Sequence, residues 1–80
     1  MVYFLYILKS NNGRHYIGMS SNPKKRLESH NSGRVISTKP YRPWAIVHLE
    51  KYENRIEARK REVALKGSFE ARNRILEKVK

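Results

Sequence analysis

The sequence predicts one compact α/β domain, spanning residues 1–80, with elements in the order β-β-α-β-α-α. A chain of 80 residues supports one hydrophobic core, because so short a chain buries only about 60% of its unfolded surface. Two short runs rich in β-branched and aromatic residues, Val2–Lys9 and Trp44–Lys51, are typical of strands. Helix-capping residues precede three of the other segments, which are therefore predicted to be helices.

The first two strands, Val2–Lys9 and Arg14–Ser20, are predicted to form a hairpin, because a short polar turn ending in Gly13 separates them. The length of the loop decides which side chains share a face of the sheet. A two-residue loop places Tyr6 and Tyr16 on opposite faces. A three-residue loop with Gly13 in the left-handed conformation places both tyrosines on one face.

We favour the three-residue loop because it segregates polar from apolar side chains, although the two-residue register also gives workable faces. The three-residue loop pairs Tyr6 with Gly18 and Leu8 with Tyr16. The opposite face is then apolar enough to pack on a helix, and it carries Leu5, Ile7, Ile17 and Met19.

The first helix is predicted to begin at the pair Asn22-Pro23, with asparagine as the N-cap and proline in the first helical position. It ends near Gly33, since glycine readily adopts the left-handed conformation that stops a helix. Arg26 and His30 are four residues apart on this helix, so both project from one face.

The second helix is predicted to follow the capping residue Asn54, with Glu57 three residues later, and to end at Gly67. Ser68 begins a third, short helix over Phe69–Val79. Its apolar side chains are predicted to pack inward, namely Phe69, Ile75, Leu76 and Val79.

The charge of the chain predicts a polyanionic partner. Eighteen Lys and Arg against seven Asp and Glu give a net charge of +11, spread through segments that have the patterns of folded structure. Nucleic acid is favoured over a membrane surface, because no helix has a broad face of large apolar side chains. No apolar run reaches the roughly 18 residues of a membrane span, and no secretory signal is evident, so we expect an intracellular protein.

Hydrolysis of a phosphodiester needs a base, a cation for the developing charge and help for the leaving oxygen. Arg26 offers a fork for a phosphate oxygen, and His30 can relay a proton near neutral pH. The ordinary alternatives are a solvated arginine and a capping or solvated histidine. Glu62, beside an apolar stripe, can bind Mg²⁺, but an i, i+4 ion pair with Lys66 is the simpler interpretation.

Five features in order resemble the GIY-YIG nuclease superfamily, and specifically its small stand-alone members. Phe4-Leu5-Tyr6 stands where the family has Gly-Ile-Tyr, and Tyr16-Ile17-Gly18 is the second motif unchanged. The other three features are the pair Arg26 and His30, the stretch Arg42-Pro43-Trp44, and the segment 58–67 that carries Glu62.

The resemblance implies a three-stranded antiparallel sheet flanked by helices and one divalent metal ion, Mg²⁺ or Mn²⁺. It also implies a role for each of five residues. Tyr6 helps to activate the water, and Tyr16 orients the nucleophile or shares that role. Arg26 holds the scissile phosphate, His30 assists proton transfer, and Glu62 binds the metal ion.

The expected function is that of an endonuclease that acts on DNA more than on RNA, and we expect a monomer. It is expected to select DNA structure rather than sequence, because no second DNA-reading domain is evident. The alternative is a basic DNA- or RNA-binding module without chemistry. Repair, recombination and mobile-element roles all stay open. Met19 stands where some relatives carry a lysine, and Lys24, Lys25 and Lys39 are the candidates to contact the substrate strand.

Overall fold

The computed structural model describes residues 1–78 and has the predicted order of elements. The strands are β1 (Tyr3–Ser10), β2 (His15–Ser20) and β3 (Trp44–Tyr52). The helices are α1 (Pro23–Asn31), α2 (Arg55–Gly67) and α3 (Phe69–Lys78), and a short 3₁₀ helix covers Lys39–Tyr41. The strands form one antiparallel sheet in the order β2-β1-β3. Within residues 1–78, no helix is long and apolar enough to cross a membrane.

The hairpin has the three-residue register. Gly13 has a φ of 86°, in the left-handed region that a side chain rarely adopts. Tyr6 lies opposite Gly18, and Leu8 lies opposite Tyr16. Both tyrosines therefore lie on the same face of the sheet, as predicted.

The central strand β1 contributes to a hydrophobic cluster on each face of the sheet. On one face, α2 and α3 cover β1 and β2, and the cluster consists of Leu5, Ile7, Ile17, Leu65 and Ile75. On the other face, Tyr6, Leu8 and Trp44 form a second cluster, against which Leu27 of α1 packs. Helix α1 therefore packs on the same side of the sheet as Tyr6.

The prediction that Phe69 packs inward is wrong, since its side chain is 71% exposed. The inward face of α3 is set by Ala71 and Ile75, which are four residues apart and pack on the core. Phe69 is two residues before Ala71, or about 200° around the helix, and therefore faces away. Leu76 packs against the core as predicted, and Val79 lies outside the described residues.

Two asparagines fix α1 over the second cluster. The Asn22 side chain caps the helix by accepting a hydrogen bond from the Lys25 backbone at 3.1 Å. At the other end, the Asn31 side chain accepts from the Trp44 backbone N–H at 2.6 Å and donates to the Trp44 carbonyl at 3.0 Å. Asn31 thereby ties the end of α1 to the start of β3, and so places His30 against the sheet.

The Glu50 carboxylate on β3 joins the sheet to α2. Burial favours its neutral form, but hydrogen bonds from Arg61, Tyr52 and His48 outweigh burial and lower the pKa of Glu50 to about 2. A lowered pKa stabilises the fold above the unfolded pKa of about 4.5, and this contribution is lost as the pH falls toward 2.

We expect acid to reduce the free energy of unfolding between pH 4.5 and 2, by up to about 3 kcal/mol from Glu50 alone. The variant Glu50→Gln should unfold more easily at pH 7 and show a flatter pH dependence over that interval. Urea denaturation at several pH values checks this. An unchanged pH dependence in the variant would contradict the role of Glu50.

Candidate active site

Three rings on the α1 side of the sheet form the centre of the candidate site. Tyr6 and His30 are buried, with 1% and 0% of their surface exposed, and Tyr16 is half-buried beside them. The ring centroids of Tyr16 and His30 are 4.7 Å apart, and those of Tyr6 and Tyr16 are 6.3 Å apart. The hairpin register brings the two tyrosines together, and α1 adds the histidine.

A chain of hydrogen bonds runs from Tyr6 through His30. The Tyr6 hydroxyl lies 3.3 Å from His30 Nε2, and His30 Nδ1 lies 2.8 Å from Thr38 Oγ1. The Thr38 hydroxyl donates to the Val35 carbonyl, so its oxygen accepts the proton on His30 Nδ1. Nε2 is then the acceptor for the Tyr6 O–H. The alternative of a capping or solvated histidine is wrong, because His30 is enclosed and engaged at both nitrogens.

Burial sets the protonation states of this pair. Burial, followed by the neighbouring Tyr16, raises the pKa of Tyr6 to about 12, against the opposing effect of the nearby Arg26 guanidinium. Burial also lowers the pKa of His30, and the charge of Arg26 adds to that effect. Near neutral pH, Tyr6 therefore keeps its proton while His30 is neutral and able to accept one.

Gly18 leaves the space that the Tyr6 hydroxyl fills. A Cβ atom at position 18 would lie 2.6 Å from Tyr6 Oη, closer than Cβ atoms approach in real proteins, and 3.1 Å from Tyr16 Cε1, which is also tight. The glycine of the second motif is thus required by contact with the first motif's tyrosine, rather than by its backbone conformation.

The variant Gly18→Ala is expected to push the Tyr6 ring away from His30 and to lower the free energy of unfolding by roughly 1–3 kcal/mol, because the added methyl overpacks a closed region. Urea denaturation measures the loss. Gly67→Ala is the matched control, since a Cβ there would meet nothing within 4 Å. Equal stability of the two variants would contradict the close approach.

Glu62 is the buried carboxylate of this region, with 6% of its surface exposed. Arg59 Nη1 donates to one of its oxygens at 2.7 Å, and Lys66 Nζ donates to the other at 3.2 Å. Its charge is among the groups that raise the pKa of Tyr6, after burial and Tyr16. The i, i+4 pair with Lys66 therefore exists, and it lies next to the tyrosines.

Arg59 and Thr38 lie at the candidate site, and the sequence interpretation did not single them out. It considered Lys66 only as the ion-pair partner of Glu62. Lys66 Nζ lies 6.0 Å from the Tyr16 ring centroid as well as against Glu62, so it brings a cation to the tyrosines. The i, i+3 spacing between Arg59 and Glu62 was a usable signal for Arg59. Met19, where some relatives have a lysine, is half-buried, at a position in β2 that faces away from the tyrosines.

Glu62 is the carboxylate at the candidate site that could hold a hard divalent cation. Among residues 1–78, no three His, Cys, Asp or Glu side chains come together as a metal cage. Mg²⁺ in phosphoryl-transfer sites commonly uses one or two carboxylates together with waters and substrate phosphates. Glu62 is a carboxylate of this kind, with Arg59 and Lys66 as the charges that a cation would replace.

The remaining predicted residues lie on the surface. Arg26 is exposed one turn before His30, in a cleft that Lys25 also lines. Lys24 is exposed on the same helix. Lys39 lies on the 3₁₀ helix and lines another cleft, so the structure does not bring it beside Arg26.

Comparison with known proteins identifies the family. Residues 2–75 match the GIY-YIG catalytic domain, so the chain belongs to the GIY-YIG family of nuclease domains. It is 42% identical over 65 residues to the UPF0213 protein lwe0147 of Listeria welshimeri, covering 80% of this chain and 72% of the relative. It is 40% identical over 65 residues to a UPF0213 protein of Staphylococcus aureus, covering 80% of this chain and 79% of the relative.

A solved structure has the same fold. It is the solution NMR structure of the UPF0213 protein BH0048 from Bacillus halodurans, with a TM-score of 0.61 and 24% sequence identity. The similarity covers 96% of this chain and 84% of that one. At this level of identity the comparison concerns the fold alone.

Proposed function

We propose that the chain is a metal-dependent endonuclease that hydrolyses DNA phosphodiester bonds and selects DNA structure rather than sequence. The observation that carries the proposal is the buried hydrogen-bonded chain from Tyr6 to His30 and Thr38, in a member of the GIY-YIG family. A surface that only binds DNA needs exposed cations, whereas an enclosed tyrosine–histidine pair is suited to moving a proton.

In this proposal the attacking water gives a proton to the Tyr6 oxygen while Tyr6 passes its own proton to His30 Nε2. The neutral state of His30, which follows from its lowered pKa, makes it ready to accept that proton. Tyr16, in contact with His30, orients the nucleophile. The exposed Arg26 guanidinium holds a non-bridging oxygen of the phosphate, where negative charge develops.

Glu62 is the residue that would hold the divalent ion, Mg²⁺ or Mn²⁺. When bound, such an ion supplies Lewis-acid stabilisation of the phosphate and of the leaving oxygen. Arg59 and Lys66, which now neutralise Glu62, have largely exposed side chains that can turn to DNA phosphates instead. The chain would act as a monomer on DNA inside the cell, and DNA repair is a process that such an activity fits.

A second candidate function is a DNA- or RNA-binding module without chemistry. The net charge of +11 supports it, as does the pairing of both Glu62 oxygens with protein cations. The two functions differ in what Arg26 does, since a binder uses it only as one charge among many.

The variant Arg26→Ala is expected to reduce metal-dependent DNA cleavage by about 10²- to 10³-fold, the usual loss when one donor to a developing oxyanion is removed. Cleavage of linear, nicked, flapped and branched DNA with Mg²⁺ or Mn²⁺ measures this. Arg26→Lys should also lose activity, because an ammonium lacks the planar fork.

The matched control is Arg74→Ala, which removes one exposed positive charge from α3. The control and Arg26→Ala should bind DNA with similarly small losses. If both cut DNA at the same rate, Arg26 has no catalytic role. If the wild-type chain and both variants bind DNA but cut none, the binding module is the better account.

A further inference from the structure

A cleft of about 380 Å³ opens beside Tyr16, where β2 begins next to the 3₁₀ helix. It lies at the lower end of the roughly 300–1,000 Å³ range that ligand pockets occupy. We call it the base cleft, and the residues that line it are Arg14, His15, Tyr16, Ser37, Thr38, Tyr41 and Trp44. Because it shares Tyr16 and Thr38 with the candidate site, a ligand in the cleft would lie beside that site.

The walls of the base cleft are flat and partly cationic. The Arg14 guanidinium lies 4.0 Å from the centroid of the half-buried Tyr41 ring, so the two form a stacked pair. Tyr16 and Trp44 also line the cleft, and their ring centroids are 6.5 Å apart. Aromatic rings and guanidinium planes are the surfaces on which proteins stack unpaired bases.

Thr38 connects the base cleft to the hydrogen-bonded chain that runs from Tyr6 through His30. Its backbone carbonyl accepts the Trp44 indole N–H at 2.9 Å, and its hydroxyl accepts from His30 at 2.8 Å. Thr38 thus holds both Trp44, which lines the cleft, and His30, which accepts the Tyr6 hydrogen bond. The exposed hydroxyl of Ser37 at the rim adds a group able to donate to or accept from a base edge.

We propose that the base cleft accepts a nucleobase unstacked from the DNA strand beside the scissile phosphate, so that the substrate class is DNA with an unpaired nucleotide at the cleavage site. This inference rests on the proposed function and adds to it a site for substrate selection. A base inside a duplex must first be unstacked at a cost of a few kcal/mol, whereas an unpaired base costs least to move. Flapped, bulged and single-stranded DNA are therefore favoured over a continuous duplex.

The test is a binding measurement in EDTA, so that it does not depend on cleavage. The probes are a DNA duplex with one unpaired 2-aminopurine and the same duplex with that nucleotide paired. The wild-type chain should bind the unpaired form about 10-fold or more tightly, in line with the usual strength of base–aromatic stacking. The 2-aminopurine fluorescence should fall on binding, since stacking on the cleft walls quenches it.

Tyr41→Ala and Arg14→Ala should each reduce this preference to about 2-fold or less and remove the quenching. Arg14 is exposed, so its variant tests the inference even if Tyr41→Ala fails to fold. Tyr3→Leu and Arg74→Ala, outside the cleft, should keep the preference. Equal binding of both probes by the wild-type chain, or unchanged quenching in both cleft variants, would overturn the inference.

The measurements distinguish failure of this inference from failure of the proposed function. If the chain cuts DNA with a divalent metal but binds both probes equally, the nuclease proposal stands and base binding in the cleft is wrong. Quenching of the unpaired 2-aminopurine by a chain that cuts no DNA would support base binding in the cleft and would overturn the nuclease proposal.

Discussion

Replacing Tyr6 with phenylalanine is expected to slow DNA cleavage by about 10²- to 10⁴-fold, the usual contribution of a positioned proton-transfer group. The change deletes one buried oxygen and leaves the ring that packs beside Leu8 and Trp44. It also leaves His30 Nε2 without its donor, so the free energy of unfolding should fall by roughly 1–3 kcal/mol. Cleavage rate, DNA affinity and urea denaturation are measured together.

Tyr52→Phe is the matched control, because it also deletes a hydroxyl that donates a hydrogen bond, to Glu50 at 2.6 Å. It should lose stability without losing cleavage, and both variants should bind DNA as the wild-type chain does. If Tyr6→Phe keeps more than about a third of the wild-type rate, Tyr6 does not take part in activating the water.

Replacing Glu62 with glutamine is expected to reduce metal-dependent cleavage by about 10²-fold or more, because an amide is a poor ligand for a hard divalent cation. DNA affinity should stay unchanged or increase, since a negative charge that now pairs with Arg59 and Lys66 is removed. A salt titration of binding, run beside the cleavage assay, separates the two effects.

Glu57→Gln is the control for charge, since Glu57 is an exposed carboxylate five residues earlier on α2, paired with Lys60 at 3.6 Å. It should cut DNA at the wild-type rate. Loss of DNA binding together with loss of cleavage in Glu62→Gln would show that Glu62 supports the fold rather than the chemistry.

Local rules were enough to predict most of the fold. The glycine that ends the Asn11–Gly13 loop predicted a left-handed residue, and that one conformation set the pairing of Tyr6 with Gly18. The caps Asn22 and Asn54 predicted where α1 and α2 begin, because each satisfies backbone groups within three residues of itself. Information of this kind lies within a few residues of the feature that it determines.

The site was less predictable because it depends on contacts between distant segments. The enclosure of His30 requires Thr38, eight residues later, and the docking of Asn31 on Trp44. The base cleft requires Arg14, just before β2, to stack on Tyr41, at the end of the 3₁₀ helix. No periodicity in the sequence records such contacts, and the roles expected of the site residues came from the resemblance to the family rather than from spacing.

The most direct test of the central claim is a metal titration of DNA cleavage by the purified wild-type chain. Flapped and linear DNA are incubated with increasing Mg²⁺ or Mn²⁺, and EDTA is added to parallel samples. The proposal predicts strand cleavage that rises with the metal concentration and stops with EDTA. Tight, salt-sensitive binding of the same DNA without any cleavage in either metal would contradict it and leave a nucleic-acid-binding module.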